Sequence, residues 1–329
     1  MSHLWLFKIA CVALAALTLV AVPAAAQGPY PNRVVRVIVP FPAGGATDVF
    51  ARQYAARLSA LLGQQVIIDN KSGAAGAIGT AEAARAEPNG YTVLFGTASI
   101  FALYNLISKK PQFDILKDFL PIAEVGASPV TFDAHPSVQG DFGAIIAHAR
   151  ANPGKLQYGS PGTGTFLHLA AEMLKRELGG VEITHIPYRG GAPSMADLVA
   201  GQIPLAVDAV STSLQHHRDG RVRILAVATA GRSALVPDIP TVDEALGTRG
   251  FVATLWNAVA VPAATPAEVV ERLHGVTARV LADKSFGEQL LKIGIEPTVG
   301  ATPQSTREFI MKEQARWKPV VEAAGVSSD

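Results

Sequence analysis

Cysteine occurs once in the 329 residues, at Cys11, and charge is scarce. Asp, Glu, Lys and Arg make up 17% of the chain, with 28 basic against 27 acidic side chains. No basic excess exists to release counterions from nucleic acid, so a DNA- or RNA-binding role is excluded. Disorder is excluded as well, because 49% hydrophobic residues supply a core and a net charge of +1 supplies no self-repulsion. After residue 26 no apolar run reaches the roughly 20 residues that span a bilayer; charges, glycines or prolines interrupt each one. Thirty glycines and 22 prolines make the chain rich in turns without making it low-complexity. The length suits about two domains.

At the N-terminus, Lys8 precedes an apolar run from Ile9 to Val22, followed by Pro23 and Ala24-Ala25-Ala26. This is the layout of a secretory signal peptide cleaved after Ala26, and the run is too short for a membrane anchor. Lys8 stands where a lipoprotein signal wants an aliphatic residue, so Cys11 is not expected to carry a lipid. Cleavage removes the one cysteine, and with it any disulfide, thiolate nucleophile or cysteine-ligated metal. Loss of Lys8 also balances the two signs of charge. The expected product is a soluble periplasmic protein beginning at Gln27.

Short β-type runs alternate with helical patterns from there on. Strands are expected at 34–39, 65–69, 91–95, 156–158, 181–186, 203–207 and 222–228. Phe50, Tyr54, Leu58 and Leu61 share a helical face, and further helices are expected near 166–178, 191–200 and 211–218. This alternation argues for an α/β fold with a mostly parallel sheet in each of two groups of βα units. The C-terminal part reads as helical. Thr265-Pro266-Ala267-Glu268 has the form of a capping box, Val269, Leu273, Val276 and Val280 form a stripe, and Thr302-Pro303 opens a helix through Phe309 and Trp317.

Two glycine-rich loops join a strand to a helix: Pro40-Phe41-Pro42-Ala43-Gly44-Gly45-Ala46-Thr47-Asp48 and Gly159-Ser160-Pro161-Gly162-Thr163-Gly164-Thr165. Glycine lets a backbone approach a ligand, and the free amides of a helix start suit a carboxylate or phosphate. Their position in different halves of the chain points to a ligand held between domains. Thr97, Ala98 and Ser99, after a strand ending at Phe95, could add hydroxyls and amides. The glycine spacing fits neither a nucleophile elbow nor a P-loop nor a dinucleotide fingerprint. His168 and Glu172 share a helical face without forming a zinc motif, and His216-His217 cannot share a metal on one face. Tyr188 and Arg189 lie in a glycine-containing loop, and Asp208 ends an apolar strand where an open α/β sheet meets its ligand. No set of nucleophile, base and orienting group presents itself, which favours binding over catalysis.

Taken in order, Pro40–Asp48, Asn70–Gly76, Pro88-Asn89-Gly90-Tyr91, Gly159–Gly164 with His168, His185–Gly190, Pro237–Thr241, Ala260–Pro266 and Arg316-Trp317 resemble the Bug family, the solute-binding receptors of tripartite tricarboxylate transporters. The resemblance runs from about Tyr30 to Val326. It implies a type II, Venus-flytrap periplasmic-binding-protein fold with lobe I at 27–127 plus 260–329 and lobe II at 128–259. It also implies a carboxylate-bearing ligand in the cleft. The expected contacts are Phe41, Pro42, Ala43, Gly44, Gly45, Asp48, Thr97, Ala98, Ser99, Ser160, Gly162, Thr163, Gly164, Thr165, His168, Tyr188, Arg189 and Asp208. No enzyme activity, cofactor or metal is implied. The implied partner is a membrane permease of one large and one small subunit that docks the closed monomer; a sensor and a periplasmic hydrolase or lyase are the alternatives. Ala77 stands where relatives commonly carry Asn, and Leu205-Ala206-Val207 where an aromatic often precedes the acid, so an aromatic acid is as open a ligand as a dicarboxylate.

Overall fold

The structure is a computed structural model that describes residues 30–327; the expected leader lies outside the described residues. Ten strands occur among them: β1 Val35–Val39, β2 Val66–Asn70, β3 Thr92–Thr97, β4 Phe119–Ala134, β5 Gln157–Ser160, β6 Thr184–Pro187, β7 Leu205–Ala209, β8 Arg223–Val227, β9 Thr254–Pro262 and β10 Glu296–Pro297. Their order is β2-β1-β3-β9-β4-β7-β5-β6, with β8 and β10 also pairing β4. Pairing is parallel within β2-β1-β3 and within β6-β5-β7. It is antiparallel wherever β4 or β9 takes part, so each half is mixed and its parallel part is confined to the βα units. The reason is connectivity: helices return the chain to the same strand end inside a βα unit, whereas β4 and β9 run between the halves.

β4 is 16 residues long and belongs to both sheets. From Phe119 to Pro129 it pairs with β9, and from Val130 it pairs with β7 and β8. Proline removes a ladder donor and is foreign to central strands. Here Pro121 sits at a register shift against β9, and Pro129 sits where β4 changes partners. Residues 128–129 and 254–259, expected in lobe II, pair in the first sheet instead, because Asn257–Ala260 form the ladder with β3.

Helix Ala46–Leu62 buries Phe50, Tyr54 and Leu58, with Leu62 in place of the expected Leu61, and ends on Gly63 at φ 70°. Tyr54 and Thr277 hydroxyls meet at 2.6 Å inside the core. Helix Ala267–Ala282 buries the expected stripe, but its N-cap is Pro266 and takes no side-chain bond. The Thr265 hydroxyl donates to the Pro262 carbonyl at 2.7 Å, so the expected capping box does not form. Helix Pro303–Ala324 does have one, between Thr302 and Ser305.

That last helix docks through Glu313, which is buried. One carboxylate oxygen accepts both indole N–H groups, from Trp256 on β9 and from Trp317, each at 3.2 Å. The Trp317 ring in turn meets Phe166 edge-on, with centroids 4.6 Å apart. A buried donor left unpaired costs about 1–3 kcal/mol. Glu313→Ala orphans two indoles and is expected to lower unfolding free energy by about 2–4 kcal/mol in urea titration. A loss below about 0.5 kcal/mol would show that the carboxylate does not anchor the helix.

Candidate functional site

The first glycine loop leaves β1 and enters helix Ala46–Leu62. The N-cap, Gly45, is extended at φ −80° and has no side chain to bond the first-turn amides, so these point out unsatisfied. Asp48 shapes the loop from behind. Its carboxylate accepts the Gly44 amide, the Arg52 Nε–H and the Asn70 amide, each at 2.9 Å, while Asn70 also donates to the Phe41 carbonyl at 3.0 Å. Burial alone would raise its pKa, but the bonds from Arg52, Gly44 and Asn70 outweigh that and hold it below the usual carboxylate range.

The second loop leaves β5 and enters helix Phe166–Glu177. Here the turn is tied down by neutral imidazoles. The Gly164 amide donates to His168 Nδ1 at 3.2 Å, and His185 Nε2 lies 2.7 Å from the Ser160 hydroxyl. The two rings stack with centroids 4.1 Å apart. Burial lowers both pKa values, and the neighbouring imidazole helps push His185 down to about 4. Thr165 caps its own helix by accepting the His168 amide at 3.4 Å.

A third element, the helix expected near 191–200, completes the enclosure; the sequence reading did not single out Gly190 and Gly191 as contacts. Helix Gly191–Val199 starts from Gly190, again without a side-chain cap. Gly190-Gly191-Ala192 repeats Gly44-Gly45-Ala46, and the two triplets face each other. A Cβ on Gly44 would stand 3.9 Å from Ala192 Cβ, and one on Gly190 would stand 2.7 Å from Pro42 Cγ. Across the same gap the Phe166 amide donates to the Ser99 hydroxyl at 2.9 Å.

Between these elements lies a narrow cavity of about 40 Å³. Phe41, Pro42, Gly45, Ala46 and Thr47 line it from the first loop, Thr97, Ser99 and Leu255 from the first sheet, and Pro161, Thr165, Leu167, Gly190, Gly191 and Asp208 from the other half. An outer space of about 490 Å³ opens past Ser72–Gly76, Gly162, Thr163, Tyr188 and Arg189. Two uncapped helix starts on opposite walls, with hydroxyls between them, present positive dipole ends of the kind that suits an anion.

Comparison with known proteins agrees with this geometry. Residues 50–326 match the family described as the tripartite tricarboxylate transporter family receptor. The chain belongs to that family. It is a solute-binding receptor of the two-lobed periplasmic-binding-protein fold. Protein BugT of Bordetella pertussis is 35% identical over 298 residues, covering 90% of each chain. Among solved structures, the periplasmic binding protein BugD superposes with a TM-score of 0.86 at 34% identity, covering 91% of this chain and 99% of its own. Rpa4515 of R. palustris, solved with adipate, superposes at 0.87 with 36% identity and the same coverage. MatC from Rhodopseudomonas palustris, with bound malate, gives 0.84 at 29% identity, covering 89% of this chain and 100% of its own.

In the receptor, seven of the expected contacts line the inner cavity: Phe41, Pro42, Gly45, Thr97, Ser99, Thr165 and Asp208. Gly162, Thr163, Tyr188 and Arg189 line the outer space. Ala43, Gly44, Asp48, Ala98, Ser160, Gly164 and His168 line neither. Asp48, Ser160, Gly164 and His168 are turned into the bonds that hold the loops, and Gly44 is spent on the positive φ of 81° that the first turn requires. The pairing of Ser160 with His185 has the distance of a nucleophile and its base. However, Ser160 is fully buried, and Glu172 lies 3.9 Å from His168 instead of orienting His185. Among the described residues no group of three His, Cys, Asp or Glu side chains could hold a metal, and no helix is long and apolar enough to cross a membrane.

The lowered histidines give the receptor an acid-sensitive loop. In the folded state His185 stays neutral down to about pH 4, while the unfolded chain protonates it near 6.5. Stability from this group is therefore present above about pH 6.5 and declines as pH falls towards 4. His185→Gln is expected to lose less stability than wild type between pH 7.5 and 5, by about 1 kcal/mol after solvent screening of the partly exposed ring. Urea midpoints at the two pH values measure this; parallel declines in both proteins would refute it.

Proposed function

We propose that the receptor works in the periplasm, reaches it through the leader cleaved after Ala26, and binds a small organic carboxylate between lobes 30–129 plus 254–327 and 130–253. The supporting observation is the pair of uncapped helix starts at Gly45 and Gly190 that face each other across the cavity. A carboxylate satisfies amides on both walls at once, so it binds the closed form better than the open one and shifts the population towards closure. The closed monomer is then recognised by a permease with large and small membrane subunits. The partition of β4 between two sheets supports these lobe limits.

Adipate and malate in relatives support an aliphatic acid of similar size. The buried Ser160 and the missing carboxylate partner of His185 support binding without chemistry, with the ligand returned unchanged.

The test is thermal unfolding of the chain from Gln27 against aliphatic and aromatic carboxylates, amino acids and sugars. A ligand at 100 times its Kd adds about 2.7 kcal/mol, or several degrees in Tm for a chain of this size. Gly45→Val fills the cavity without straining the backbone, since the nearest atom to a Cβ there, the Pro42 carbonyl, is 3.8 Å away. It is expected to abolish the ligand shift while leaving the ligand-free Tm within a few degrees. Stabilisation by sugars alone, or an unchanged shift in Gly45→Val, would overturn the reading.

A further inference from the structure

Helix Phe166–Glu177 is capped partly from its own chain and partly from across the cleft. Its own N-cap, Thr165, is fully engaged: the hydroxyl donates to the Gly162 carbonyl at 2.7 Å and accepts the His168 amide at 3.4 Å. The Phe166 amide is one of the donors that a first turn leaves without a partner. It goes instead to the Ser99 hydroxyl on the opposite wall, at 2.9 Å and out of contact with solvent. An uncommon turn puts Ser99 there. β3 ends at Thr97, and Ser99–Leu103 forms a π-helical turn, a rare conformation that recurs at functional sites. The Ser99 amide donates back to the Thr97 hydroxyl at 3.2 Å, which ties the turn to the strand end.

A hydroxyl has two lone pairs and one proton. Ser99 and Thr97 each give a lone pair to a backbone amide, and among the described residues neither proton has an acceptor. Both side chains are nearly enclosed, at 4% and 2% exposed, and both line the inner cavity. Buried O–H groups whose protons are unclaimed call for an acceptor in the cavity they line. The 40 Å³ there, at about 10–15 Å³ for each water-sized sphere, suits a group as small as a carboxylate. The rest of a ligand would extend into the outer space, which shares Phe41, Pro42, Pro161, Thr165 and Gly190 with the inner one.

We propose that Ser99 is the positioning residue that couples occupancy to closure: its proton goes to the ligand's carboxylate while its oxygen holds the Phe166 amide of the opposite wall. This rests on the receptor reading above and adds the route by which a bound carboxylate is felt on both walls. Donating to an anion makes the Ser99 oxygen a better acceptor, because hydrogen bonds in a chain polarise one another. The bond across the cleft therefore tightens when a carboxylate is present. Without one, water replaces Ser99 at the Phe166 amide whenever the walls part, so the serine contributes little. With alanine at position 99, closing over a ligand buries the Phe166 amide unpaired.

The test is a double-mutant cycle read as Kd by calorimetry, with acetate, adipate, malate and benzoate as probes. Ser99→Ala removes the hydroxyl. Phe166→Pro removes the amide proton at the first helical position, where proline is tolerated. Thr165, at φ −73° and ψ 159°, already has the conformation that a following proline requires. Ser99→Ala is expected to weaken probe binding about tenfold or more in the wild-type background. In the Phe166→Pro background the loss shrinks by about threefold or more, since no donor is left to orphan; the missing phenyl ring is common to both sides of that comparison and cancels. The ligand-free Tm of Ser99→Ala stays within a few degrees of wild type, which a merely structural serine would not allow. Should Phe166→Pro fail to fold, amide exchange decides. With saturating probe the Phe166 amide exchanges about fivefold or more faster in Ser99→Ala than in wild type, and at equal rates in the two ligand-free proteins. Equal losses in both backgrounds, equal exchange with probe bound, or a ligand-free Tm that falls along with affinity would overturn this inference and leave the receptor reading standing. Failure of wild type to bind these four or any other carboxylate of the wider panel would overturn both.

Discussion

The antiparallel pairing of β4 with β9 is the constraint on which the site depends. β4 runs unbroken from one sheet into the other, so the two sheets cannot turn independently about a flexible linker. In each sheet the parallel strands meet their ligand outside their carboxyl ends, as open α/β sheets do. In the first sheet those ends are Val39, leading to the Gly44-Gly45 turn, and Thr97, leading to Ser99. In the second they are Ser160 and Pro187, leading to Gly162–Thr165 and Gly190-Gly191, and Ala209, with Asp208 the residue before it in β7. The shared strand points both sets of ends into one cleft. A break in it would leave two good half-sites that no longer faced each other.

In the proposed mode the cleft meets an anion with dipoles and hydroxyls, and the charged side chains Asp48 and Arg52 are engaged in holding the first loop. Asp48 with Arg52 and Asn70 fixes the first loop; His168 and His185 fix the second as neutral acceptors. The division follows from desolvation. A lysine or arginine in the wall would have to be buried on closure, at a cost its partner repays only in near-ideal geometry. An uncapped helix start is already positive, already rigid and carries no separate charge to bury.

The sequence reading recovered the strand–helix alternation, both glycine loops, the terminal helix with its Thr302 cap, and seven of the residues lining the inner cavity, because local pattern encodes each of these. It misplaced what depends on three-dimensional context. Leu61 and Leu62 differ by one step on the helix, and only packing decides which is buried. Thr265 had the spacing of a capping box, yet its hydroxyl bonds the Pro262 carbonyl, a competition that spacing does not reveal. Asp48, Ser160 and His168 were read as contacts since they sit in the right loops; their side chains turn the other way, and direction is a tertiary property. Gly190-Gly191 was legible as part of a glycine-containing loop beside Tyr188 and Arg189, but its approach to Pro42 across the gap is a tertiary contact that no local pattern encodes.

Closure joins the halves at the loops and through the buried face between helices Phe166–Glu177 and Pro303–Ala324. Across the cleft the Phe166 amide bonds Ser99, Pro42 approaches Gly190, and Trp317 from the terminal helix touches Phe166. A hydrogen bond exchanged with water contributes only about 1 kcal/mol net, and Phe166 is a first-turn residue whose amide water serves well in the open form. These contacts define the closed geometry, and the polar ones among them add little to its population. In the proposed mode, a ligand that satisfies the Gly45 and Gly190 helix starts together favours closure, because an open form would let it reach only one of them. Tight binding and tight closure are then the same free energy, and a partner that docks the closed form reads occupancy directly.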